Sequence, residues 1–169
     1  MRVALTGTPG TGKTTVAALL PYEVIDINAL VKGGLNLGID RERGCLDADM
    51  DGLEKRLKER DMEEVTVLEG HFSHRFANWA IVLRLAPSRL EKRFEARGYS
   101  PKKTQENLEA EALDIILAEA AEICSRVDEI DTTDKNPQEV ADLVMRIING
   151  DLRLPPGQVD WLMDFFGSE

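Results

Sequence analysis

Cysteine, aromatic side chains and positive charge are all scarce in this chain of 169 residues. Its two cysteines, Cys45 and Cys124, stand far apart with no third nearby, so neither a disulfide framework nor a CxxC metal site is expected. Both read as ordinary reduced thiols. No apolar run approaches the roughly 20 residues that cross a bilayer, which argues against a membrane segment. The opening MRVALTG lacks the charged head, apolar stretch and cleavage site of a secretory signal, so the cytoplasm is the expected compartment. Lys and Arg number 21 against 31 Asp and Glu, and the net charge of -10 opposes counterion-driven binding to a phosphate backbone. Strong direct contact with nucleic acid is therefore not expected. Repeats and low-complexity tracts are also missing.

What is present fits one globular α/β domain, with 43% apolar and 31% charged residues. Short apolar runs at 2–6, 23–27, 65–68, 81–85 and 127–131 read as five strands, several without alternation, as strands covered on both faces are. Helical patterns at 53–60, 88–97 and 105–126 separate them, which predicts a parallel sheet flanked by helices. Asn136 followed by Pro137 marks a further helix start, with Val140, Leu143, Val144 and Ile147 on one face. Pro155, Pro156 and Gly157 divide a body over 1–150 from a tail over 151–169.

The most specific stretch is LTGTPGTGKTT, Leu5 to Thr15. Gly7 to Thr14 fits G-x-x-x-x-G-K-[ST] in full, between an expected strand and an expected helix. Glycines let backbone N–H groups curl around phosphate oxygens, and the helix start adds partial positive charge. Gly10, Thr11, Gly12, Lys13, Thr14 and Thr15 are thus candidate triphosphate contacts, with Lys13 on the outer phosphates and the Thr14 hydroxyl on Mg²⁺. Pro21 is expected to stop the following helix after about two turns.

A second candidate site is VTVLEGHFSHR, where an apolar strand ends in Glu69. Strand ends in parallel sheets face ligands. Glu69 can hold a Mg²⁺-bound water or orient a reacting group, and His71 can position water or a phosphate oxygen. A surface turn with a solvated Glu69 and incidental His71 and His74 is the competing reading. Arg75 joins the candidates for substrate contact.

With RFEARGYSPKKTQENLEAE, these motifs together resemble the nucleoside monophosphate kinases, and most closely the adenylate kinase isoenzyme 6 group. The resemblance covers nearly all of 1–150 and rests on GTPGTGKTT, on Glu69-Gly70-His71, and on the R-x-E-x-R-G-Y-x-x-K-K segment. It implies a P-loop kinase fold with a five-stranded parallel sheet, a monophosphate-binding insertion at about 28–51 and a small lid at about 96–107. The insertion is expected as a mobile, partly helical flap, in which Arg41 and Arg43 either contact an acceptor phosphate or belong to a solvated loop. In the lid, Arg97 is implied as an ATP contact, Arg93 beside it; the competing reading is an exposed arginine face pairing with Glu91 and Glu95.

The implied reaction is transfer of the γ-phosphoryl of Mg-ATP to a nucleoside monophosphate, AMP first among acceptors, with Lys13, Glu69, His71 and Arg97 in the catalytic set. The resemblance also implies a second class, an ATPase that matures the small ribosomal subunit and its rRNA by binding a small-subunit ribosomal protein. An acidic surface suits a basic partner of that kind. Glu69 departs from the aspartate usual in the eukaryotic motif, and the lid has no metal-binding cysteines. A GTPase is disfavoured because no N-K-x-D occurs, TTDKNPQ having the wrong order. That stretch either packs near adenine or is a simple capped turn. The tail DWLMDFF carries Trp161, Leu162, Phe165 and Phe166, which dock on the body or meet a partner.

Overall fold

A computed structural model describes residues 1–40, 45–61 and 63–167. Five parallel strands form the central sheet: β1 (Arg2–Thr6), β2 (Glu23–Asp26), β5 (Thr66–Glu69), β6 (Trp79–Arg84) and β7 (Arg126–Asp131), in the spatial order β2-β5-β1-β6-β7. Inner strands β5 and β6 are buried at every position, which explains their unbroken apolar runs. Register places Leu5 opposite both Glu69 and Ile81, so β1 delivers the glycine loop between the ends of β5 and β6. That is the crevice beyond the strand ends where open α/β sheets take ligands.

Helices cover both faces. One core packs α1 (Lys13–Ala17) and α7 (Pro137–Ile148) through Val16, Val140, Val144 and Ile147 onto Leu5, Ile81 and Ile130. The other packs α2 (Ile27–Lys32), α3 (Met50–Lys58) and α6 (Ile115–Ile123) onto Ala4, Leu68 and Val82. The expected start of α7 is present as a complete capping box: Asn136 accepts from the Glu139 N–H, and Glu139 accepts from the Asn136 N–H. Helix α1 is short, as Pro21 implied, its last turn closing before that residue.

Two expectations are corrected. The strand expected over 23–27 ends at Asp26, because the Asp26 carboxylate accepts from the Ala29 N–H and starts α2. The single helix expected over 105–126 is two, α5 (Pro101–Ala112) and α6. Asp114 between them adopts φ 56° and pairs with Arg84, so a buried cation breaks what periodicity joined. Residues 124–126 leave the helix, and Arg126 begins β7. The region at 28–51 is partly helical as expected, through α2 and the start of α3, and what the sequence reading did not foresee among its described residues is an antiparallel pair, β3 (Asn36–Asp40) and β4 (Cys45–Ala48).

The arginine-rich helix is α4 (Pro87–Ala96), from which Gly98, at φ 68°, turns the chain into α5. Tyr99 stacks on Phe94 with ring centroids 5.1 Å apart, and Leu85, Leu90 and Leu108 complete a small core under this turn. The tail docks on the body: Leu152 and Leu154 pack on the sheet core, and Phe165 of α8 (Leu162–Phe166) joins the Phe94 cluster. Leu162, Met163 and Phe166 stay exposed.

Candidate active site

The loop after β1 is shaped by left-handed backbone at Gly10 (φ 95°) and Gly12 (φ 100°), a region side chains disfavour. Space adds a second demand at Gly10, where a Cβ would sit 3.0 Å from both Leu90 and Phe94 of α4. The loop is therefore fitted against α4. Lys13 is 7% exposed and folds back, its Nζ donating to the carbonyls of Gly7 at 2.8 Å and Thr8 at 3.0 Å. Burial lowers its pKa to about 8, resisted by the Glu69 and Glu111 carboxylates and assisted by Arg97.

Helix α4 does not present its arginines to one common partner. Arg93 donates to the Gly10 carbonyl at 2.6 Å, whereas Arg89 pairs with Asp134 at 3.6 Å on the surface. Arg97, exposed at the end of α4, repels Arg93, whose pKa is lowered first by burial and then by this charge. Lys13 and Arg93 are thus bonded to the loop carbonyls, and the Arg97 charge is felt by both of them. In a chain of net charge -10, this is a local concentration of cations at the mouth of a glycine loop. Such a cluster suits a polyanion.

Across the loop, the Thr14 hydroxyl donates to Glu69 Oε2 at 3.3 Å. Glu69 is 3% exposed, and its pKa is raised by burial and by Asp26, with Lys13 opposing. Two hard oxygen donors side by side fit Mg²⁺, which typically takes one or two protein groups and completes its shell with water and phosphate oxygens. Among the described residues no cluster of three or more metal-ligating side chains occurs, so Thr14 and Glu69 would supply only part of such a shell. Thr15 is exposed one residue further into α1.

His71 opens to solvent at one edge yet lies in a desolvated corner. Burial, with the positive charge of Lys13 and His74, pushes its pKa down to about 4, so it is neutral at pH 7. Its ring meets Phe72 edge-on at 4.7 Å. His74, expected to be incidental, is fully buried between the Thr6 hydroxyl and Glu119, 3.2 Å from each. Its place is structural.

Arg75 does not join the cleft. It sits exposed on a 3-10 turn (Ser73–Phe76), pairs with Glu119 at 3.1 Å, and borders a depression of about 620 Å³ at the opposite end of the strands with Met1, Arg2 and Arg126. The turn carries it away from the strand ends at the cleft. Arg41 and Arg43 lie outside the described residues.

Two features escaped the sequence reading. Asp26 ends β2 level with Glu69 and adds a second carboxylate to that corner. A strand ending in Asp just before an apolar helical run, EVIDIN, was the available signal. Behind the loop, Arg84 is 1% exposed and bonds Glu111 at 2.8 Å and Glu129 at 2.6 Å, while Glu111 also accepts from the Thr8 hydroxyl at 2.5 Å. Glu111 sits at helical spacing with Leu108 and Ala112, a charge on an otherwise apolar face.

Together, the sheet order, the glycine loop and the helix packed on it define a P-loop kinase fold. Solved structures agree: a shikimate kinase from Acinetobacter baumannii matches with TM-score 0.59 at 19% identity, over 89% of this chain and 93% of that one. A Bacillus subtilis YorR protein, in complex with phosphorylated GDP, matches with TM-score 0.54 at 19% identity, over 89% and 97%. The family model described as "AAA domain" covers residues 3–114. Among curated proteins, a "Putative adenylate kinase" of Methanothermobacter thermautotrophicus is 48% identical over 95% of this chain and 99% of its own length. Proteins of the same description from Methanosarcina barkeri and Archaeoglobus fulgidus are 42% and 43% identical, over 96% and 97% of this chain and 98% and 93% of theirs. The chain belongs to this family of archaeal proteins.

Proposed function

We propose that this protein is an ATP-dependent nucleoside monophosphate kinase, transferring the γ-phosphoryl of Mg-ATP to a monophosphate, with AMP as first acceptor and broader acceptance open to test. The observation that carries the reading is the convergence of Lys13, Arg93 and Arg97 on the glycine loop, opposite the Thr14–Glu69 pair. The relatives' shared description agrees with it.

In this reading the chain does little covalent work. Loop N–H groups from Gly10 to Thr15 cradle the β-phosphate, and the Lys13 ammonium leaves the loop carbonyls for the outer phosphates. Thr14 and Glu69 would hold Mg²⁺, which would supply neutralisation of phosphate charge. Arg97 closes over the γ-phosphoryl and Arg93 orients the triphosphate, their charges growing more effective as water leaves. The region at 28–51 receives the monophosphate, the segment at 96–107 acts as the lid, and Arg41 and Arg43 are candidate acceptor contacts. Aligning donor and acceptor then supplies most of the rate.

A second activity is supported by His71. Neutral at pH 7 at the cleft edge, it can accept a proton or orient water, which suits ATP hydrolysis. With the exposed Leu162, Met163 and Phe166 on the tail as a docking face, this supports the alternative of a cytoplasmic ATPase serving small-subunit and rRNA maturation through a ribosomal protein.

The test of the leading reading supplies ADP and Mg²⁺ alone. Formation of ATP and AMP in equal amounts is expected, because the reaction is reversible. Stable ADP would remove AMP as an acceptor. His71→Ala separates the alternative: it should abolish any phosphate release while sparing transfer, and loss of transfer would place His71 in the kinase step.

A further inference from the structure

We propose that Glu111 is a positioning residue of the phosphate loop, fixing Thr8 so that the cradle is preformed before nucleotide arrives. The inference rests on the kinase reading above, in that the loop must hold a nucleotide.

Thr8 is the residue on which the loop's own bonds converge. Its carbonyl accepts from the Thr11 N–H at 3.3 Å, the Thr11 hydroxyl at 3.0 Å and Lys13 Nζ at 3.0 Å. A shift of Thr8 would therefore move both the turn and the lysine. Its hydroxyl, buried with the residue at 1% exposure, donates to Glu111 Oε2 at 2.5 Å. Charge-assisted bonds of this kind are short and directional.

Glu111 is itself unable to drift. Its other oxygen accepts from Arg84 Nε at 2.8 Å and from the Leu85 N–H at 3.1 Å, and Arg84 is held in turn by Glu129 at 2.6 Å. Arg84 and Glu129 lie on neighbouring strands β6 and β7, so the carboxylate anchors the loop to the sheet. Neutralising Arg84 alone would need only Oε1. Oε2 points to the loop instead, although a carboxylate there adds negative charge near a site that takes phosphates. A fixed Thr8 offsets that cost, because Gly10 and Gly12 give the loop conformational freedom that binding would otherwise have to order.

Calorimetric titration of Mg-ATP into the intact chain tests this, with thermal midpoints recorded without nucleotide. Thr8→Val keeps the shape and removes the donor; it should weaken ATP binding about tenfold, the loss of one charge-assisted bond, and fall on KM for ATP more than on kcat. Thr8→Ser should restore affinity. Glu111→Gln leaves the hydroxyl a neutral amide partner and removes only the charge, so it should weaken binding less than Thr8→Val, and the double variant should be no weaker than Thr8→Val alone, since both act on the same contact. If Glu111→Gln does not fold, the Val and Ser pair decides alone. Wild-type affinity in Thr8→Val, or effects of the two changes that add independently, would overturn the inference and leave Glu111 as a counter-ion of Arg84. Failure of the unaltered chain to bind Mg-ATP would overturn the kinase reading and the inference with it.

Discussion

The two sides of the cleft are built differently. On the donor side, the glycine loop rests against buried Leu90 and Phe94, is bonded by Arg93, and is tied through Thr8 to the sealed Glu111–Arg84–Glu129 network. On the side proposed for the acceptor, the β3–β4 pair carries Leu37 and Ile39 at 71% and 72% exposure, and among the described residues these strands pair only with each other. A triphosphate presents the same charge pattern in every nucleotide, so its cradle gains from rigidity. In the proposed reaction an acceptor enters and its product leaves, so the side proposed for it gains from fewer contacts.

If the contrast is sound, damage should differ in kind between the halves. The largest effect is expected from Lys13→Ala, which should reduce transfer by about 10³-fold or more, as loss of a principal charge stabiliser does. Its folding should be retained, and turnover near wild type would remove Lys13 from the reaction. Next, Arg84→Met should lower unfolding free energy by about 3–5 kcal/mol in denaturant titration, because it leaves buried Glu111 and Glu129 without their cation. A loss below about 1 kcal/mol would show that the donor side is not stabilised by this network.

A third expectation concerns pH. The free protein needs Lys13 charged, and its pKa is lowered to about 8, so kcat/KM for ATP should fall about tenfold per unit above pH 8. The sign for stability is opposite: Lys13 loses its proton more easily folded than at its unperturbed value of 10.5, so its contribution rises as pH climbs from 8 toward 10.5. A kcat/KM flat to pH 10 would place the lysine in a less buried setting. The smallest effect is expected at Ile39→Thr, which should change stability by less than about 0.5 kcal/mol and alter, if anything, KM for the monophosphate. A change in KM for ATP there would break the division between the halves.

The same contrast governs how much could be read in advance. The strands and the glycine loop were legible because buried parallel strands leave unbroken apolar runs and the loop demands fixed residue types. Glu69 was legible as a carboxylate ending such a run. Contacts made by long polar side chains across the fold were not: the bond from Thr8 to Glu111 spans 103 positions, and Asp114, which splits a predicted helix in two, is explained only by Arg84 beside it. Arg75 shows the reverse error. Proximity to His71 in sequence suggested the cleft, but four residues of 3-10 turn suffice to carry it to the far end of the strands. The exposed strand pair β3–β4 was missed because its mixed polarity, and the glycines Gly33 and Gly34 just before it, resemble an irregular loop.

The central claim, that phosphoryl passes from ATP to a monophosphate across this cleft, is tested most directly by incubating the purified protein with Mg-ATP and AMP, CMP, UMP or GMP in turn and resolving the products by chromatography. The account predicts that at least one monophosphate, AMP first, becomes its diphosphate with equal loss of ATP. Release of ADP and free phosphate at the same rate whatever the acceptor would contradict it.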